Sequence, residues 1–230
     1  MLLRNHPGGR RDAPDDRDVP FLPALHAAAL PDRVDLRASC GAVYNQLDIK
    51  SCSANAVAAL MVFLGNVERR PIEPPSRLFI YYNERKLEGT LPGDDGAAIR
   101  SAMKCVVKQG ACAETQWPYD PAMVSTEPPA PCYESAKSCR AFAYSRIAQN
   151  LDHMRGCLAE GYAFAFGMQA YMQGFEAAKT SGLIPMPGSN DTLVGGHAVL
   201  AVGYDNATQT ILALNSIGTG WGQSGYFTLP

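Results

Sequence analysis

Cys52 is the residue of this 230-residue chain that is best placed to act as a nucleophile. It lies in the first turn of the helix that the charge-free stretch from Ser51 to Gly65 predicts. Amide donors and the helix dipole at such a position favour the thiolate over the thiol and lower the pKa. A cysteine there also fits as a small apolar residue at a helix start, so the nucleophile assignment depends on finding a base.

His197 has the best setting among the four histidines for the role of that base. His6 and His26 lie in the N-terminal arm, and His153 falls off the apolar stripe of its short helix, which predicts a solvated surface residue. His197 follows two glycines and opens the apolar strand "AVLAVGY". A polar ring at the mouth of a buried strand needs a partner or a purpose, although a satisfied core histidine remains the alternative.

Two amides complete the set of candidate residues. Asn215 ends the next apolar strand, "TILALN", where its side chain can fix one imidazole nitrogen and aim the other at a thiolate. Gln46 precedes the helix of the nucleophile, and its side-chain amide can join the Cys52 backbone N–H as a donor pair for an oxyanion. None of these residues is decisive alone, but their order and settings favour a nucleophilic cysteine site.

The elements that must position these residues separate into a helical half and a strand-rich half. Helices are predicted from Ser51 to Gly65, from a Ser76 cap to Gly89, and over "AAIRSAMKCVVKQ", capped by Asp94 or Asp95, to Gly110. After a Pro-rich loop come a short helix, "NLDHMRGCLAEG", and the strands "AFAFGM", "HAVLAVGY", "TILALN" and "GYFTL". This order predicts an α+β fold with a site in the cleft between its two parts.

The N-terminal residues are expected to stay outside this core. They are rich in Pro, Gly, Arg and Asp, which predicts an extended arm over residues 1–31. Residues 32–230 are then expected to form one domain, helical over about 45–115 and β-rich over about 140–230.

The overall composition excludes several classes of partner. The net charge of -2 and the pI near 6.1 give no electrostatic reason to expect nucleic acid or an anionic membrane. The longest apolar stretches are too short to span a bilayer, and the N-terminus lacks the apolar core of a signal peptide. We expect a monomer that binds neither nucleic acid nor membrane, and the compartment stays open.

The seven cysteines leave at least one thiol unpaired. Cys105 with Cys112 and Cys132 with Cys139 fit local disulfides, but buried free thiols fit equally well. The chain has no Cys-x-x-Cys, which argues against a zinc ribbon or a thioredoxin-type dithiol.

Three blocks, "YNQLDIKSCSANA", "GGHAVLAVGYD" and "LNSIGTGWGQSGYF", together resemble the signature blocks of papain-like cysteine peptidases. The separation from Cys52 to His197 falls within the roughly 130–150 residues of that family, and Asn215 lies slightly beyond it. "SRLFIYYNERKLEG" and "WPYDP" also fit, particularly with bacterial members. The resemblance covers about residues 33–230 and leaves out the arm.

The resemblance implies hydrolysis of a peptide or protein substrate through a thioester acyl-enzyme, without a metal or an organic cofactor. It implies Cys52 as nucleophile and His197 as general base and later acid. It also implies Asn215 as the residue that orients the imidazole and Gln46 as the oxyanion donor. A helical subdomain carrying the cysteine is expected to face a barrel-like, β-rich subdomain carrying the histidine.

The same resemblance gives a partial view of substrate choice. By position, Gly96 resembles the glycine whose backbone pairs with an extended peptide, and Ala97, Ala98 and Ala198 line the adjacent pocket. Small side chains there predict room for an apolar residue second before the scissile bond, although helix propensity alone also explains Ala97 and Ala98. No insertion that blocks one end of the cleft is evident, which favours an endopeptidase.

The arm has two possible interpretations. Members of the family often carry an N-terminal pro-segment in or near the cleft, so residues 1–31 are expected to inhibit the enzyme as such a segment. A disordered tail is the alternative.

The chain departs from the better-known family members at several positions. Ile49 replaces a cysteine that normally forms a disulfide, and Ser53 replaces a bulky aromatic residue, which predicts changed packing more than changed chemistry. Gly196 replaces an acidic residue before the histidine, which predicts a shifted pH profile. Ile217 replaces the tryptophan that covers the His–Asn hydrogen bond, and it offers bulk without an indole face.

Two other functions remain open at the level of sequence. One is a different thiol acyl-transfer enzyme, such as an amidase or a transferase. The other is a non-catalytic binding module on the same fold, against which stands the presence of all four candidate catalytic residues.

Overall fold

The computed structural model describes residues 7–24 and 30–230. In chain order the strands and helices are β1 (Gly9–Arg10), β2 (Arg33–Asp35), α1 (Cys52–Val67), α2 (Arg77–Glu88), β3 (Ala97–Ala98), α3 (Ile99–Lys108), α4 (Ala130–Ala136), α5 (Leu151–Ala159), β4 (Phe164–Tyr171), α6 (Met172–Ser181), β5 (Leu193–Asp205), β6 (Thr210–Leu214) and β7 (Tyr226–Leu229). Helices dominate the first half and strands the second, which confirms the predicted α+β class.

Helix α1 is buried around almost its whole circumference because it packs against both halves. Val57, Ala58 and Met61 belong to the apolar core shared with α2 and α3. Ala59 and Phe63 belong to a second core shared with the sheet. A helix without charged residues can be buried on both sides at no desolvation cost for a charge. Its N-terminus, Cys52, consequently lies between the two halves.

Helix α2 begins and ends at the predicted signals. Ser76 Oγ accepts a hydrogen bond from the Phe79 N–H at 3.1 Å, which caps the first turn. Gly89 ends the helix with φ = 70°, a left-handed conformation that glycine adopts without steric cost.

Helix α3 begins later than predicted, because neither Asp94 nor Asp95 caps it. Its N-cap is Ala98, without a side-chain hydrogen bond. Ala97 and Ala98 are instead extended and pair in parallel with Gly9 and Arg10 of the arm. The prediction was wrong because the partner strand lies in a distant part of the sequence, and helix propensity does not register such a partner.

In the part of the chain that the structure describes, strand β5 is the central strand of a five-stranded sheet. Leu200 and Ala201 pair antiparallel with both β4 and β6, so these strands flank β5 on opposite edges. Strand β2 continues the β4 edge at Gly203–Asp205. Eight consecutive residues of β5 are buried, from His197 to Tyr204, which explains its nearly continuous apolar sequence.

Helix α6 was not predicted from the sequence. It follows β4 directly, and it packs Phe175 and Ala178 into an apolar core with Trp221 and Phe227. Its sequence, "MQGFEAAKTS", contains an internal glycine and only a weak apolar stripe. Tertiary packing therefore stabilises this helix more than its local pattern does.

The described part of the arm runs along the molecule in an extended path. Beyond β1, Val19 and Phe21 exchange backbone hydrogen bonds with Arg146, each at 2.8 Å. Phe21 then packs beside Leu158 and Phe164. Among the described residues, none of the helices combines the length and the hydrophobicity of a transmembrane segment.

All seven cysteines lie in the described ranges and are free thiols. The structure therefore agrees with the buried-thiol alternative and contains neither of the two local disulfides.

Candidate active site

His197 and Asn215 form a buried hydrogen-bonded pair. His197 lies in β5 and Asn215 directly follows β6, and the pairing of Leu200 with Leu214 brings these positions together. His197 Nε2 lies 2.8 Å from Asn215 Oδ1, and both residues are almost fully buried. Because a carbonyl oxygen only accepts, Nε2 carries the proton of this bond. In the neutral imidazole, Nδ1 then carries no proton.

An aromatic cover for this pair comes from α6. The Phe175 ring meets the His197 ring edge-on, with centroids 5.6 Å apart, and Trp221 packs against Phe175 at 5.7 Å. Ile217 is only half-buried and forms a β-bridge with Asn45. Phe175 therefore supplies the aromatic contact that Ile217 lacks, and sequence reasoning missed it because α6 was not predicted.

Gln46 is fully buried in the loop before α1, with its side-chain amide held at both ends. Oε1 accepts from the Ser216 hydroxyl at 2.6 Å, and Nε2 donates to the Ile49 carbonyl at 2.9 Å. The Gln46 backbone N–H also donates to the Ser216 carbonyl at 2.8 Å. Ser216 was not predicted as a site residue from the sequence, although its position directly after Asn215 could have indicated one.

Cys52 lies at the start of α1, fully buried against β5. Its thiol has backbone hydrogen bonds with Ala198, the neighbour of His197 in β5, and with Gly8 of the arm. Cys52 and Ala198 also share a small apolar cluster with Ala56. The structure thus brings the predicted nucleophile to the strand position that follows the predicted base.

The pKa of Cys52 differs from the sequence-based prediction. Burial raises the pKa of the thiol to about 11, although the backbone hydrogen bonds from Ala198, Gly8 and Ser53 act to lower it. The nearby Glu84 carboxyl also raises it. The prediction of a lowered pKa was wrong for this arm-bound form because desolvation of the thiolate outweighs the helix terminus.

Ser53 has a polar partner. It is fully buried, and its hydroxyl donates to Glu84 Oε1 at 2.8 Å. Burial in turn raises the pKa of Glu84 well above its ordinary value. The smaller side chain at this position is therefore matched by a buried carboxyl from α2.

Of the four predicted substrate-binding residues, Ala198 shares an apolar cluster with Cys52, and the Ala97 N–H bonds to Gly8, whose backbone contacts the Cys52 thiol. Gly96 has φ = 74° and its N–H donates to the Tyr81 hydroxyl at 3.2 Å. Ala97 and Ala198 are buried, and Ala98 is half-buried. Sequence reasoning missed two neighbours that pack on the Cys52 and Ala198 cluster, Ile99 and Ala165.

Gly8 and Gly9 of the N-terminal arm lie in the cleft between the two halves of the chain. The Gly8 carbonyl accepts from the Ala97 N–H at 3.0 Å, on the helical side. On the β side, Gly9 lies against the backbone of Gly196 and His197 so closely that a Cβ there would approach both within 3.0 Å. A Cβ on Gly8 would overlap the Lys50 backbone, so only glycine fits at this point of the arm.

The remaining histidines do not extend the site. His153 is half-buried in α5, which corrects the expectation of a solvated residue. His6 and His26 lie outside the described residues.

Comparisons with known proteins agree with this geometry. Residues 30–230 match the family model described as papain family cysteine protease. The crystal structure of xylellain, a cysteine protease from Xylella fastidiosa, superposes with a TM-score of 0.92 at 41% identity, over 99% of this chain and 90% of that chain. ProCathepsin B S9 from Trypanosoma congolense shares the fold, with a TM-score of 0.80 at 17% identity, over 98% of this chain and 81% of its own.

A viral protein is also similar in sequence. The uncharacterized peptidase C1-like protein L477 of Acanthamoeba polyphaga mimivirus is 38% identical over 197 residues, which are 81% of this chain. The match spans 63% of the viral protein, so it leaves more than a third of that relative uncovered. The family match over nearly the whole chain, together with the relatives above, shows that the chain belongs to the papain family of cysteine proteases.

Proposed function

We propose that this chain is a cysteine endopeptidase whose nucleophile is Cys52. The observation that carries the proposal is the buried His197–Asn215 pair, placed in β5 beside the Ala198 backbone that contacts the Cys52 thiol. Family membership favours a peptidase over an amidase, a transferase or a binding module.

The proposed reaction begins with proton transfer from the Cys52 thiol to His197 Nδ1. The Sγ electron pair then attacks the peptide carbonyl carbon, and the carbonyl oxygen becomes an oxyanion stabilised by the Gln46 side-chain amide and the Cys52 backbone N–H. His197 protonates the leaving amine as the C–N bond breaks, which leaves a thioester. Water, deprotonated by the same imidazole, attacks the thioester carbon, the C–S bond breaks and the carboxylic acid product leaves. The imidazolium returns its proton to the sulfur, which regenerates the thiol.

The proposed substrate is an extended peptide that pairs with the backbone at Gly96–Ala98. Because Ala97, Ala98 and Ala198 are small, we propose that they accommodate an apolar side chain second before the scissile bond, with Ile99 beside Ala198. We propose that the working unit is a monomer, with residues 32–230 as the peptidase domain, because one chain supplies both sides of the cleft. Light scattering at assay concentration tests the oligomeric state.

Labelling with a peptidyl epoxide or vinyl sulfone tests the mechanism. Cys52→Ala should abolish both labelling and peptide hydrolysis, whereas Cys40→Ala, at a half-buried thiol outside the cleft, should retain them. Hydrolysis that survives Cys52→Ala would refute the proposal. Transfer of the acyl group to an added amine in preference to water would favour the transferase alternative, and retention of structure without labelling would favour a binding module.

We propose further that residues 1–31 inhibit the enzyme by occupying the cleft. Gly8 contacts the Cys52 thiol through its backbone, and its carbonyl oxygen accepts a hydrogen bond from the Ala97 N–H of β3. A peptide substrate needs the same β3 backbone. Arm and substrate therefore compete for one surface.

Charged residues of both halves, Arg100 and Arg146, hold the arm. Arg100 forms a bidentate ion pair with Asp18, with one bond at 3.1 Å and the other at 2.5 Å, and both side chains are 10% exposed. The Arg100 N–H also donates to Asp12 at 3.1 Å, and Arg146 lies 3.3 Å from Asp12. Such charge-assisted bonds are stronger than neutral ones when they are shielded from water.

Gly8→Leu in the full-length chain tests inhibition by the arm. The added side chain overlaps the Lys50 backbone, so the arm should leave the cleft and labelling of Cys52 should speed up by about tenfold or more, equivalent to about 1.4 kcal/mol of arm binding. Gly188→Leu is the matched control, because a Cβ there meets open space. Equal labelling rates for the two variants would exclude inhibition by the arm and leave the peptidase assignment intact.

A further inference from the structure

Two segments of the chain flank the cleft on its helical side and are joined by one carboxylate. The nucleophile loop, Ile49–Ser51, leads directly into Cys52, and the peptide-binding loop, Gly93–Gly96, leads directly into β3. Asp94 of the second loop accepts hydrogen bonds from the Lys50 N–H of the first, at 3.1 Å to Oδ1 and 3.2 Å to Oδ2.

Tyr81 extends this connection to the glycine that precedes β3. The Tyr81 hydroxyl donates to Asp94 Oδ1 and accepts from the Gly96 N–H at 3.2 Å. The ring is fully buried on α2, where the Arg85 guanidinium stacks on it at 4.0 Å. Arg85 also donates to the Gly93 carbonyl at 2.6 Å, so helix α2 holds the peptide-binding loop at several points.

Asp94 bonds directly to Lys50 and reaches Gly96 through the Tyr81 hydroxyl, and the spacing of these two residues matters for reaction with a peptide. Lys50 lies two positions before Cys52, and Gly96 begins the segment that pairs with backbone in the cleft. A bound peptide must reach the thiol and the β3 backbone at the same time. Displacement of one loop by about 1 Å is enough to cost about a hundredfold in rate in a positioned reaction.

We propose that Asp94 is a positioning residue that fixes the nucleophile loop relative to the peptide-binding loop. Its bonds to a backbone N–H and to a phenol are charge-assisted when the carboxyl is ionised. The connection contains no sulfur, and Ile49 occupies the position at which better-known papain-like peptidases have a disulfide cysteine. In this chain a carboxylate makes a cross-connection at the nucleophile loop, and thiol oxidation is not required for it.

The test compares two reactions of the same thiol. Alkylation by iodoacetamide needs the Cys52 thiolate but no peptide-binding strand. Labelling by a peptidyl vinyl sulfone, and hydrolysis of a peptide, need both. All variants are made in the full-length Gly8→Leu chain, so that the arm does not limit either reaction.

Asp94→Ala should lower vinyl sulfone labelling and kcat/KM for the peptide by about tenfold or more, and should change iodoacetamide alkylation by less than twofold. Asp94→Asn should keep the vinyl sulfone labelling rate and kcat/KM within about threefold of those of the parent Gly8→Leu chain, because its amide oxygen still accepts from the Lys50 N–H. Asp95→Ala is the matched control, since Asp95 is the exposed neighbour in the same loop. The vinyl sulfone labelling rate and kcat/KM of Tyr81→Phe should fall between those of the Asp94→Ala and Asp94→Asn variants.

Three outcomes overturn the proposal. The first is that Asp94→Ala lowers alkylation and peptide labelling in parallel, which indicates a fault in folding or in the nucleophile itself. The second is that Asp94→Ala has no effect on either reaction. The third is that Asp95→Ala has the same effect as Asp94→Ala. A parent chain that is alkylated and labelled but hydrolyses no peptide overturns the endopeptidase proposal instead. In that case the ratio of labelling to alkylation still decides the role of Asp94.

Discussion

The hydroxyl of Ser216 donates a hydrogen bond to Oε1 of Gln46 at 2.6 Å, across the cleft between the two halves of the chain. Because Oε1 accepts this bond, the amide is fixed with Nε2 as its donor atom. The Ser216 N–H also donates to Asn215 Oδ1 at 2.8 Å. One serine therefore contacts both the proposed oxyanion donor, Gln46, and the residue proposed to orient the imidazole, Asn215.

Removal of this hydroxyl should weaken the oxyanion donor while leaving the thiol reactive. We expect Ser216→Ala to lower kcat for a peptide about tenfold, which is less than the 10²–10³-fold typical for loss of an oxyanion donor itself. Alkylation by iodoacetamide forms no oxyanion and should change less than twofold. Ser189→Ala, at an exposed loop position, is the control. A proportional loss in both reactions would show that Ser216 acts on the nucleophile or on folding.

Asn215 and Ile217 should differ strongly in their sensitivity to substitution. Asn215→Ala leaves the His197 ring without its 2.8 Å partner, and we expect kcat to fall by about 10- to 100-fold with a changed pH profile. Ile217→Trp should have a modest effect, because Phe175 already covers the His197 ring. Measured pH–rate profiles of both variants provide the check. A silent Asn215→Ala would remove the orienting role.

The parts of the fold that were predictable from sequence are those with strong local signals. Helix α2 has Ser76 and Gly89 at its ends, and α1 has an uninterrupted run without charge. The strand β5 is buried on both faces and reads as an apolar run. These features depend on neighbours in the sequence, and the structure agrees with them.

The parts that were missed depend on partners far away along the chain. Ala97 and Ala98 are extended because Gly9 and Arg10 pair with them, which helix propensity does not anticipate. The pKa of Cys52 was predicted from the helix terminus alone, yet burial under the arm and β5 raises it. Phe175 was missed because its helix is stabilised by tertiary packing. The spacing of residues in the sequence therefore predicted the candidate site residues but not the distant residues that surround them.

The ion pair between Arg100 and Asp18 should contribute to inhibition by the arm. Asp18→Asn removes a carboxylate that is 10% exposed and leaves Arg100 short of its charged partner. We expect this to weaken arm binding and raise labelling of Cys52 about thirtyfold, which corresponds to about 2 kcal/mol, the lower end of the 2–5 kcal/mol cost of breaking such a pair. Asp16→Asn carries the same charge change at an exposed arm position and should leave labelling unchanged. Equal labelling of the two variants would contradict an anchoring role for this pair.

The pH dependence of Cys52 alkylation should report whether the arm is bound. In the arm-bound chain burial raises the pKa of the thiol to about 11, so iodoacetamide alkylation should be slow at neutral pH and rise steeply above about pH 9. Since the arm-bound form retains the proton to higher pH than the open form, linkage requires the arm to bind less tightly as pH rises through this range. Gly8→Leu exposes the thiol and should move the alkylation curve to lower pH. Peptide mapping of Cys52 after timed alkylation between about pH 6 and pH 10.5 separates it from the other six cysteines. Superimposable curves for the two chains would show that the arm does not control ionisation of the nucleophile.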